Sequence, residues 1–404
     1  MVTLDDVTMA AERVADVLRP TPCWTSRALS RLAGRPVWCK PEHLQRTGSF
    51  KIRGAYNRVA EVASPSTAAG APGVVAASAG NHGQAVALAA SLRGLAATVF
   101  MPRTAALPKV EATRAYGAEI VPVTGTVDDA IDAALTMAAD TGGTFIAPFD
   151  DPLVVAGQGT VGLEVAGEVP AVEVVVVPVG GGGLIAGMAV ALKALRPEVT
   201  VIGVEAAGAA SMRASLDAGA CIRLPTLDTM ADGIALKSPC ALTLGLVQAL
   251  VDDVVTVTEE EISRAVLLLL ERTKQVVEPS GAAGLAALLA GRVPGTGTAV
   301  TVLSGGNVDP LLLLKLIDHG LSAAGRYLVL RVVADDRPGA LAAFTAALAD
   351  LGLNVLSVEH HRAGLGLGVD EVEMVATVET RDPQHRHEVV AALAAAGQRV
   401  DLVR

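Results

Sequence analysis

Basic charge is in short supply in this sequence: 32 Lys and Arg stand against 42 Asp and Glu over 404 residues, a net charge of −10. A surface of that sign repels phosphate backbones and anionic bilayers, which excludes nucleic acid and membrane surfaces as partners. Cysteine is scarce too. The four present, Cys23, Cys39, Cys221 and Cys240, show neither CxxC spacing nor the density of a disulfide framework, and they read as reduced packing residues of a cytoplasmic protein. Aromatic residues are 2% of the chain and charged residues 18%, against 51% hydrophobic. That balance excludes disorder and tilts the interior toward Ala, Val, Leu and Gly. The 41 Gly and 21 Pro are too few for a low-complexity chain. A leader peptide is not expected either, because Asp5, Asp6, Glu12 and Asp16 interrupt the apolar positions of the first twenty residues.

One uncharged stretch, residues 174–192, imitates a membrane span. Pro178 and four consecutive glycines in its middle predict instead a buried strand, a turn and a helix. Similar short apolar strands recur at 73–77, 97–101, 119–123, 199–204 and 299–303, separated by Ala-rich helical stretches. Such alternation predicts an α/β fold with a parallel sheet covered by helices on both faces, in which ligands gather at the carboxyl ends of the strands. After Ala324 the pattern becomes strand 327–334, helix 339–351, strands 354–361 and 372–380, helix 384–396 and strand 399–403. This βαββαβ order is the ferredoxin-like unit and predicts a second domain, with 321–325 as its linker.

Three loops of small polar residues follow predicted strands. Gly180, Gly181, Gly182 and Gly183 open a helix at Leu184, where free backbone N–H groups and the helix dipole favour a phosphate. The Gly-Lys-Ser/Thr of a triphosphate loop is missing, and with it the case for nucleotide hydrolysis. A plain structural reading is a close helix-to-sheet contact. A rival functional reading takes Gly181, Gly183 and Ala186 as a dinucleotide pattern with Glu205 as the ribose partner, which makes the chain a nicotinamide-dependent oxidoreductase. The second loop, Ser78, Ala79, Gly80, Asn81 and His82, offers N–H groups and polar side chains for a carboxylate, or is a turn with an Asx cap. In the third, Ser304 offers a neutral hydroxyl, or caps a helix. Earlier in the chain Lys51, flanked by Ser49, Phe50 and Ile52 between Gly48 and Gly54, is either a surface charge or an amine held for Schiff-base chemistry.

Taken together, these segments resemble the threonine ammonia-lyases (threonine dehydratases), fold-type II pyridoxal phosphate enzymes, from about Thr3 to Asp318 and in the family's order. The resemblance implies a tryptophan synthase β-like catalytic domain over 1–322, two parallel-sheet lobes with the smaller at about 54–148. It implies Lys51 as the Schiff-base lysine and the base for the Cα proton, and Phe50 beside the cofactor ring. Asn81 is implied at the ring hydroxyl, the amides of Ser78 to His82 at the substrate carboxylate, Gly180 to Gly183 and Leu184 at the phosphate, and Ser304 at the pyridine nitrogen. The implied reaction removes the β-hydroxyl of L-threonine or L-serine, with the cofactor phosphate protonating the leaving group, and gives a 2-oxo acid and ammonia. Two departures narrow it. Ala79 stands where the serine racemases carry a second base, and Ser211 stands where they carry the second carboxylate of a divalent-cation site that begins at Glu205. Racemisation and a tight metal site are therefore not expected.

The last residues, 327–404, resemble an ACT domain, whose ligand loop is matched by Asp335, Pro338, Gly339, Ala340 and Leu341. That resemblance implies an amino-acid effector such as isoleucine or valine, and the catalytic family implies a tetramer. A non-catalytic amino-acid sensor is the remaining alternative. His360 with His361, and His385 with His387, read as solvated residues in preference to metal ligands.

Overall fold

Among the described residues, ten strands between positions 24 and 302 build two sheets. They are β1 (Trp24–Thr25), β2 (Val37–Lys40), β3 (Val74–Ala77), β4 (Ala97–Pro102), β5 (Glu119–Val123), β6 (Thr144–Phe145), β7 (Val174–Pro178), β8 (Thr200–Ala206), β9 (Asp253–Val257) and β10 (Ala299–Val302). One sheet has the order β1-β2-β10-β7-β8-β9, parallel throughout except for the antiparallel β1–β2 pair, and the other is β5-β4-β3-β6, parallel throughout. This computed structural model describes residues 2–63, 73–362, 367–396 and 399–402. Its contacts divide the chain into two units, Met1–Pro310 and Leu311–Arg404.

The poverty in aromatics has a structural counterpart. In the larger sheet's core the helices Pro152–Glu168 and Gly183–Leu195 pack backbone to backbone: a Cβ on Gly187 would stand 2.2 Å from the Val155 carbonyl and 2.6 Å from the Gly159 nitrogen. Small residues let the helices approach, and close packing then gives the dispersion contacts that large side chains would otherwise provide. Residues 174–192 form β7, a glycine turn and the buried helix Gly183–Leu195. Among the described residues no helix is long and apolar enough to cross a membrane.

In the second unit, β11 (Tyr327–Asp335), β12 (Val355–His361), β13 (Glu371–Glu379) and β14 (Arg399–Leu402) form an antiparallel sheet of order β12-β13-β11-β14. The helices Ala340–Asp350 and Pro383–Ala395 supply Phe344, Leu348, Val389 and Leu393 to its core. The last expected strand residue, 403, lies outside the described residues. The expected linker at 321–325 is corrected: helix Pro310–Ala323 runs through most of it. Gly320 is carried within that helix, and the chain turns at Gly325, whose φ of +69° is left-handed. β1, β2, β6 and β9 lie outside the strands expected from the sequence, although the β-branched run of β9 is readable there. Two of them are only two residues long, and β2 hides behind its charged Lys40.

Candidate active site

Loops after β3, β7 and β10 and the start of helix Lys51–Val62 open onto one cavity at the carboxyl ends of both parallel sheets. Phe50, Lys51, Ser78, Ala79, Gly80, Asn81, His82, Gly180, Gly181, Gly182, Gly183, Leu184 and Ser304 all line it. The residues that the resemblance implies at the cofactor and the substrate are therefore in one place, whereas Ala186, Glu205 and Ser211 are not among the lining residues. The ACT-loop residues form a separate group in the second unit, where Asp335 ends β11 and Gly339, at φ +95°, precedes the helix that begins at Ala340.

Lys51 is the first residue of its helix, and its Nζ donates to the Pro148 carbonyl at 3.0 Å and lies 5.2 Å from the centre of the Phe50 ring. Burial lowers its pKa from 10.5 to about 8, against the opposing pull of Glu278. A neutral, nucleophilic amine is thus accessible near neutral pH. His82 is buried, with Nε2 2.8 Å from the Ile146 carbonyl. Burial, and then the Lys51 charge, take it down to about 3, so the ring is neutral and Nε2–H is the donor to that carbonyl.

The glycine loop is shaped by what it touches. A Cβ on Gly181 would stand 2.4 Å from the Phe149 ring, one on Gly180 3.0 Å from the Ile234 Cα, and Gly182 has φ +85°. No side chain caps the helix that follows, so its first N–H groups are free for an anion. Ser304 does not cap a helix, since the next begins at Pro310; its carbonyl instead accepts from Phe50 N at 3.1 Å. Asn81 makes no Asx cap. Its Nδ2 donates to Glu278 Oε1 and its Oδ1 accepts from Asn307 Nδ2, both at 2.7 Å.

The oxidoreductase reading fails on geometry. Glu205 is fully buried, does not line the cavity, and accepts from Met212 N and Arg213 N at 2.8 Å each, capping helix Ser211–Ala218. It points to no ribose site. Burial raises it to about 7 despite those bonds. The histidine pairs are solvated: His361 meets Glu359, His385 accepts from Arg381 N, and His387 contacts the Pro383 carbonyl.

Four residues at or beside the cavity carry no weight in the sequence reading: Glu278, Asn307, Lys109 and Asp232. Glu278 is 2% exposed and its Oε2 has no partner among the described residues. A glutamate just before the helix-starting Pro279 in an apolar run is a readable signal, as is the Asn that closes the SGGN loop. Lys109 and Asp232 sit in ordinary charged surroundings and give none.

A phosphorylated aromatic aldehyde fits this donor set: an amine of lowered pKa for its carbonyl, a side-chain-free amide cradle at a helix start for its phosphate, and the Asn81 amide and Ser304 hydroxyl for its ring. Fold and site together define an enzyme of the pyridoxal phosphate class. The chain belongs to the pyridoxal-phosphate dependent enzyme family, whose model matches residues 14–305, and it carries an ACT domain at 328–397. It is 46% identical over 404 residues to the L-threonine ammonia-lyase of Thermotoga maritima, covering 100% of both chains. Among solved structures it resembles the T.th. threonine deaminase at 43% identity and TM-score 0.71, over 76% of this chain and 99% of that one. Maize serine racemase matches at 35% identity and TM-score 0.74, over 80% and 98%.

Proposed function

We propose that the chain deaminates L-threonine to 2-oxobutanoate and ammonia, and L-serine to pyruvate and ammonia, in the cytoplasm, as a tetramer under control of its C-terminal domain. Pyridoxal 5'-phosphate, when bound, supplies the electron sink that makes the Cα proton removable. Gly180 to Gly183 and Leu184 hold its phosphate by backbone amides, Phe50 flanks its ring, and Ser304 and Asn81 meet the ring's polar atoms. Lys51 would hold its carbonyl carbon, and its Nζ is the group that takes the Cα proton; a positioned base of this kind contributes about 100- to 10,000-fold. The amides of Ser78 to His82 bind the substrate carboxylate. Ser304 would present a neutral hydroxyl to the ring nitrogen, which an acid would keep protonated, and the cofactor chemistry supplied there would favour loss of the β-hydroxyl. Ala79, which lines the same cavity, carries only a methyl group that cannot return a proton, so it offers no second base for a racemisation.

The observation that carries this reading is the convergence of Lys51, the Ser78–His82 loop, the four glycines and Ser304 on one cavity. Assay of 2-oxo acid formation from threonine and serine tests it, with wild type beside Lys51→Ala. The wild type is expected to turn over both amino acids and to lose its visible cofactor absorbance on borohydride treatment. Lys51→Ala is expected to be inactive yet folded. Residual activity above about a hundredth of wild type, the low end of a general base's contribution, would overturn the assignment of Lys51.

A further inference from the structure

The cavity has one wall from each parallel sheet, and a buried cation joins them. Lys109, on helix Leu107–Ala115 beside the four-stranded sheet, is only 7% exposed, and its Nζ meets Asp232 Oδ2 at 2.5 Å. Asp232 belongs to the long segment between helices Ser211–Ala218 and Ala241–Leu250, on the side of the six-stranded sheet. That segment is fastened to its own lobe by backbone bonds: Asp228 N to the Gly208 carbonyl at 3.0 Å, Met230 N to Glu259 at 2.8 Å and Gly233 N to Ser280 Oγ at 2.8 Å. Across the gap it is met by Lys109 and, at the surface, by Asp128, which pairs with Arg223.

Lys109 also touches the loop expected to bind substrate. A Cβ on Gly80 would stand 2.7 Å from Lys109 Cδ and 3.5 Å from Nζ. The side chain therefore lies against the middle of the Ser78–His82 loop while its charge is anchored on the opposite lobe. A buried ammonium has to be paired, and here the carboxylate within bonding distance comes from across the cavity. Opening the lobes would break that pair.

We propose that Lys109 and Asp232 are positioning residues: their ion pair sets the four-stranded lobe over the cavity and holds the Ser78–His82 loop in the arrangement that receives the substrate carboxylate. This rests on the deaminase reading for the identity of the substrate. The two residues act as one unit, so a double-mutant cycle separates the proposal from its rivals. Lys109→Met keeps the alkyl stem that packs on Gly80, and Asp232→Asn alters a half-exposed side chain, so both should fold.

In the holoenzyme each single variant is expected to raise KM for threonine about tenfold, with kcat changed less than about threefold. The double variant should be no worse than the worse single, a coupling of ordinary size for residues in contact. The dissociation constant of L-alanine, which has no leaving group, should rise in parallel when read from the cofactor's absorbance. Additive effects in the double variant would overturn the proposal by showing that the two act separately on the ligand. So would a fall in kcat at constant KM, or a loss of thermal stability with KM unmoved. A wild type inactive on threonine would instead overturn the deaminase reading, and the L-alanine cycle would still judge the ion pair.

Discussion

Glu278 shows how one buried acid is tied to the chemistry around it. Asn81 has its oxygen held by Asn307 and one N–H held by Glu278, so its second N–H is the one left for the cavity. Removing the acceptor should cost about 1–3 kcal/mol, the usual penalty for an unpaired buried polar group. Glu278→Ala is therefore expected to slow threonine turnover by about 5- to 150-fold, while Glu278→Gln, which keeps an acceptor oxygen, recovers most of the loss; steady-state kinetics on the pair checks this. Stability carries a second signature. Burial raises Glu278 from 4.5 to about 7, with Asp232 adding and Lys109, Asn81 and Lys51 opposing. Between those values the folded chain keeps a proton that the unfolded chain has released, so this group lowers stability as pH rises through the window. Melting temperatures measured from about pH 5 to 7 should fall less in Glu278→Gln than in wild type. An identical slope in both would show that Glu278 does not titrate there.

At the scale of elements, the lysine helix is fixed by charge. Two residues beyond Lys51, the fully buried Arg53 donates to Glu42 at 2.7 and 2.8 Å and to Glu164 at 2.6 and 2.9 Å, and Lys40 meets Glu164 at 2.6 Å and Glu168 at 2.9 Å. The planar fork of Arg53 thus joins the start of helix Lys51–Val62 to helix Pro152–Glu168 and to the turn at Glu42–Leu44. Truncating one partner of a buried pair leaves the other charge stranded, so Arg53→Met should cost about 3–5 kcal/mol in denaturant unfolding. Arg53→Lys, with one point charge for two carboxylates, should recover only part. This network is not legible in the sequence. Arg53 follows Lys51 by two residues with nothing local to mark its role, because its partners are 11 and 111 residues away. What is legible follows a rule: β7, β8 and β10 are apolar runs bounded by glycine or turn residues, and the chemistry-bearing loops directly follow β3, β7 and β10. The second unit's alternation of strands and helices is equally readable, since β11 and β13 each bury one face. Pairings across long sequence separations, such as Asn81 with Glu278 and Lys109 with Asp232, leave no local periodicity to read.

For the whole molecule, the proposed catalytic and effector groups lie on different units. Lys51, Asn81, Gly180 to Gly183 and Ser304 precede Pro310, and Asp335 to Leu341 follow it. The first unit has the makings of an independent fold: 76% of this chain accounts for 99% of the T.th. threonine deaminase. Regulation, on the proposed reading, must then be a coupling free energy between two sites that share no residue, typically about 1–3 kcal/mol, or about 5- to 150-fold in affinity. A chain ending after Ala323 keeps helix Pro310–Ala323 whole and removes the four-stranded antiparallel sheet. It is expected to deaminate threonine within about tenfold of the full chain while losing any shift in substrate titration caused by isoleucine or valine, a shift the full chain should show at about fivefold or more. Equal shifts in both proteins would place the effector site in the first unit, and the loop from Asp335 to Leu341 would then have to be read as serving assembly.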